Sequence, residues 1–80
     1  MRRITTEEIR EHIRSTLMAE KEKGAIQVVL ISKDIHKDLE LSNRMPMVCN
    51  AMRSLMRAGD IVLHEPPKGE GSTVKIEYRV

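Results

Sequence analysis

The sequence predicts an α+β domain of three helices, one short strand and a C-terminal β-hairpin, and a few periodic patterns carry that expectation. Ile9, Ile13 and Leu17 recur every fourth residue, as one face of a helix requires. Val48, Met52 and Leu55 fall at i, i+4 and i+7, with Ala51 beside them. Val74, Ile76, Tyr78 and Val80 alternate with Lys75, Glu77 and Arg79, the two-residue period of a half-buried strand. At 80 residues the chain has room for one small domain, spanning 1–80.

The first helix starts at Thr5. Thr5 and Glu8 have capping-box spacing, and Ile4 and Ile9 flank the cap as a hydrophobic staple. Gly24 follows Lys21 and Lys23 and suits the position just past the helix end. Ala25 to Ile31 is short, apolar and β-branched and reads as a strand, with a buried helical segment as the alternative. Ser32 then reads as an N-cap, and Ile35 and Leu39 give a short second helix one apolar edge. A turn surrounds Leu41. The third helix is expected over about residues 44–58, capped by Ser42 or Asn43, with Pro46 in its first turn and Gly59 as its stop. Ile61 to His64 reads as a strand, 66–72 as a loop, and 73–80 as the strand that returns beside it.

Composition excludes several function classes. Tyr78 is the one aromatic residue, so neither an aromatic-lined cofactor pocket nor recognition of single strands by base stacking is expected. A single cysteine, Cys49, cannot form an internal disulfide and fits a reducing, cytoplasmic setting. No apolar run approaches the ~20 residues of a membrane span. His12, His36, His64 and Cys49 lack metal-ligand spacing, so no metal or other cofactor is expected. Nothing points to a catalytic triad or a phosphate-binding glycine loop, and the chain is not expected to be an enzyme.

The order helix, short strand, helix, turn, helix, strand, loop, strand resembles the winged helix-turn-helix family of prokaryotic transcription regulators. The likeness rests on Ile31-Ser32-Lys33-Asp34-Ile35-His36-Lys37-Asp38-Leu39, on Leu41-Ser42, on the spacing of Val48, Met52, Leu55 and Gly59, and on the hairpin. It covers nearly the whole chain. Asn43-Arg44-Met45-Pro46-Met47 is about two residues longer than the family's usual approach to its recognition helix. The resemblance implies double-stranded DNA as partner and transcription regulation as function. A winged-helix module for protein contact inside a larger assembly is the alternative.

Charge distribution agrees with a nucleic-acid partner. Net charge is only +2, but residues 42–58 hold Arg44, Arg53 and Arg57 and no acid. At about 100° per residue, Asn50, Arg53 and Arg57 centre opposite the apolar stripe, with Ser54 at the edge. In the family this outward face enters the major groove. Asn can pair with adenine and Arg with guanine, so Asn50 and Arg53 are the expected base readers and Arg57 a phosphate contact. Ser42, Asn43, Arg44 and Met47 at the helix start and Lys68 in the wing complete the expected DNA-binding set. Of the methionines, Met18 and Met47 are expected to be exposed, and Cys49 semi-buried. A homodimer through the first helix is expected, because one such domain reads few base pairs.

Overall fold

The computed structural model describes residues 4–67 and 71–80. Along the chain run α1 (Thr6–Glu22), β1 (Gln27–Ile31), α2 (Ser32–Asp38), α3 (Met45–Ser54), β2 (Ile61–His64) and β3 (Lys75–Arg79). The result is an α+β fold of three helices on one antiparallel sheet of order β1-β3-β2. No helix among the described residues is long and apolar enough to cross a membrane.

Both predicted ends of α1 form. The Thr5 hydroxyl accepts from the Glu8 N–H at 3.2 Å, satisfying one orphan donor of the first turn. At the other end Gly24 takes φ +97, the Gly24 N–H donates to the Lys21 carbonyl, and the Ala25 N–H donates to the Glu20 carbonyl. Those paired bonds form a Schellman motif. The end of α2 repeats it: the Leu41 N–H reaches the His36 carbonyl and the Glu40 N–H the Lys37 carbonyl. There Glu40 occupies the left-handed position at φ +52, which glycine normally fills.

Ser32 corrects an expectation. It lies inside α2 rather than capping it, and Ile31 holds the cap position without a side-chain bond. The Ser32 hydroxyl is fully buried and donates to the Gly71 carbonyl at 2.6 Å, tying the start of α2 to the segment that enters β3. The third helix is corrected at both ends. It begins at Met45 with Arg44 as N-cap, and neither Ser42 nor Asn43 supplies a cap bond. Asn43 instead takes φ +51 in the turn, a conformation asparagine tolerates well. Pro46 falls in the first turn, where its missing N–H costs nothing. The helix stops at Ser54, four residues before Ala58.

Sheet pairing explains the alternation in β3. Val28 and Leu30 of β1 stand opposite Tyr78 and Ile76, while Val29 stands opposite Glu77. On the other side Ile61 also pairs with Glu77 and Val62 with Ile76, with a bulge before His64. Val74, Ile76 and Tyr78 are buried, and with Ile9, Ile13, Ile35, Val48, Cys49, Ala51 and Met52 they form the core. Cys49 is wholly buried, deeper than expected, and Met47 is part-buried against the core, whereas Met18 is 57% exposed. Ile9 and Ile13 of the α1 stripe face the core, and Leu17 is part-buried against it.

Tyr78 sits on the central strand and donates its hydroxyl to the Met52 carbonyl of α3 at 2.7 Å. Burial raises its phenol pKa well above the ordinary value, with the nearby Asp60 carboxylate adding to the shift. The neutral form is thus favoured in the fold. Its contribution to stability is fully present below the unfolded pKa of about 10 and is lost as pH rises above it. Tyr78→Phe should cost about 1 kcal/mol in denaturant titrations at neutral pH. It should also remove part of the stability loss seen in the same titrations repeated above pH ~10.

Candidate functional site

The outer face of α3 follows from its inner one. Val48, Cys49, Ala51 and Met52 are buried, so Pro46 and Asn50 point to solvent on the far side, with Ser54 exposed at its edge. The helix contains no acid. Its first turn also has none, so the positive end of the helix is not offset by a carboxylate there. Asn50 is exposed, and its side chain makes no hydrogen bond among the described residues. Arg44 is exposed at the N-cap, and its backbone N–H donates to His36 Nε2 of α2 at 3.4 Å. Ser42 and Asn43 are exposed in the turn before it, and Met47 is half-buried at the edge of the face.

Arg53 is not a bare cation. Its Nη2 pairs with Glu65 Oε1 at 2.7 Å, which links α3 to the segment just after β2. Both groups are part-exposed, so the pair is worth ~1 kcal/mol or less in stability. Its larger effect is to fix where the guanidinium points. Sequence periodicity gave the direction of Arg53 but not this partner, because Glu65 lies on a different element. Ser54 is likewise engaged: its hydroxyl donates to the Ala51 carbonyl and accepts from Arg10 of α1 at 3.3 Å. Arg10 also bonds Glu7 and holds that carboxyl below the usual carboxylate range.

Arg57 is displaced from its expected place. The helix has ended, and the Arg57 backbone N–H donates to Asp60 Oδ2 at 2.8 Å in a turn closed by Gly59 at φ +96. Asp60 Oδ1 accepts from the Arg79 N–H, also at 2.8 Å, so one carboxylate joins this turn to β3. The Arg57 guanidinium leans back to the Arg79 carbonyl at 3.3 Å. Asp60 was not singled out by sequence reasoning; Gly59-Asp60 after an apolar stripe was its only signal. Gly59 therefore belongs to the turn rather than to the helix end. Lys68 lies outside the described residues.

A second junction anchors the approach to β3 beside α3. The Gly71 carbonyl accepts from Ser32 Oγ and, at 3.5 Å, from the Cys49 thiol. Gly71 has φ +153, and a Cβ there would stand 3.4 Å from Pro66. The backbone conformation, more than the space, demands glycine. Among the described residues no group of three or more His, Cys, Asp or Glu is placed to hold a metal ion. Comparison of the chain with protein-family models, curated proteins and solved structures finds no match.

Gly71→Ala should destabilise the fold by about 1–3 kcal/mol through backbone strain. Thermal melts should show the loss, and amide exchange at Lys33, whose N–H donates to the Ser72 carbonyl, should accelerate with it.

Proposed function

We propose that this chain is a winged helix-turn-helix domain that binds double-stranded DNA and regulates transcription. The observation that carries the reading is the outward face of α3, to which the helix itself contributes no acid, with Asn50 unengaged and Arg44 at the helix start. The chain order α1-β1-α2-α3-β2-β3 and the packing of α2 on α3 across a short turn support it. In this reading α3 lies in the major groove. Asn50 pairs with adenine and Arg53 with guanine. Contact by Arg53 requires its guanidinium to share or leave Glu65. Arg44, with the adjoining Ser42 and Asn43, meets phosphate near the positive end of α3. Arg57 meets phosphate from the turn rather than from the helix. The protein acts by binding, without catalysis or cofactor, in the cytoplasm, and pairs as a homodimer to read two half-sites.

A second reading, a protein-contact module, is favoured by one surface. Ile61, Val62 and Leu63 of β2 are 47%, 37% and 47% exposed, on an edge strand with one side unpaired.

Selection from a random duplex pool tests the first reading, with oligomeric state measured by sedimentation. Binding tighter than ~100 μM at low salt, falling steeply as salt rises, is expected. Failure of every duplex to reach that affinity would leave the protein-contact reading. Arg53→Ala should relax base preference at one position and cost about 1–3 kcal/mol on the selected site. Arg57→Ala should weaken all duplexes alike and flatten the salt dependence. Equal and small effects of both would rule out base reading by α3.

A further inference from the structure

A concave surface lies apart from the outer face of α3. A cleft of about 360 Å³ opens between the second half of α1, the turn after α3 and the end of β3. That volume lies in the range of small-molecule sites, about 300–1,000 Å³. Leu17 and Met18 of α1 and Val80 after β3 give it apolar walls. Tyr78 also lines it, but it is 1% exposed and its hydroxyl is committed to the Met52 carbonyl, so the open apolar surface belongs to the other residues.

Its rim is cationic. Lys21, Arg57 and Arg79 line the cleft, and none of them makes an ion pair among the described residues. The single acidic side chain among the described lining residues, Asp60, already accepts two backbone N–H bonds, from Arg57 and Arg79. Apolar walls alone would take any apolar body. Cations without carboxylate partners beside those walls select a body that carries negative charge, and a planar guanidinium matches a carboxylate in shape as well as sign.

We propose that this cleft binds a small amphipathic carboxylate, its apolar body between Leu17, Met18 and Val80 and its carboxylate at Lys21, Arg57 and Arg79. The ligand contacts α1, the turn after α3 and β3 together, so it braces the helices against the sheet. Arg57 is common to this site and to the proposed DNA surface, but the test reads no DNA and its variants leave Arg57 in place.

The probe is decanoate, titrated into the intact protein while the methyl resonances of Leu17, Met18, Leu55 and Val80 are followed by NMR. Saturating shifts at these methyls, with a dissociation constant of about 1 mM or tighter, are expected. Decyltrimethylammonium, with the same chain and the opposite charge, should give none. The double variant Lys21→Gln, Arg79→Gln should weaken decanoate at least about fivefold, as loss of roughly 1 kcal/mol implies. Unshifted Ile9 and Ile13 methyls in that variant would show that its core is intact. Absence of saturation, equal binding of the cationic probe, or unchanged affinity in the intact double variant would each overturn the proposal.

Discussion

The Tyr78 hydroxyl meets the Met52 carbonyl at 2.7 Å across 26 residues of chain, and both groups are buried. This bond joins the central strand to the helix that carries the candidate site. In a core otherwise built from aliphatic, methionine and cysteine side chains, Tyr78 is the only large flat group. Methionine and branched aliphatics adapt to many packings, so they fill space without specifying one arrangement. A buried hydroxyl with one acceptor in reach specifies the distance and rotation of α3 over the sheet. The outward aim of Asn50 and Arg53 depends on that rotation.

Two polar junctions extend the constraint, one just past the end of α3 and one at its middle. Asp60 gathers the backbone N–H groups of Arg57 and Arg79, so the chain leaves the helix early and turns at once into β2. The Gly71 carbonyl gathers Ser32 and Cys49, so the segment entering β3 stays beside the start of α2 and the middle of α3. Each junction joins residues distant in sequence through one acceptor group. Neither adds apolar burial; both convert a thin core into a defined geometry.

Charge on this surface is managed locally rather than by net balance. Arg10 and Arg14 are matched by Glu7 and Glu11 along α1, and Arg53 by Glu65. Lys21, Arg57 and Arg79 have no such partner among the described residues. A net charge of +2 therefore understates how differently two faces of the molecule meet an anion.

Local pattern alone determined much of the architecture. The Thr5 cap, the Gly24 stop, the stripe of α1, the inner face of α3 and the alternation of β3 were all legible, because each depends on neighbours within one helical turn or one strand repeat. So was the exposure of Asn50, which follows from the burial of Val48, Ala51 and Met52. Tertiary structure decided the rest. Periodicity carried the third helix to about Ala58, but a carboxylate from the following turn and a strand 19 residues beyond it ended it at Ser54. Ser32 looked like a cap and became a buried strut, because its acceptor, Gly71, is 39 residues away. The partner of Arg53 was hidden for the same reason. Helix and strand periods report which way a side chain points; they carry no information about which distant group will be waiting there.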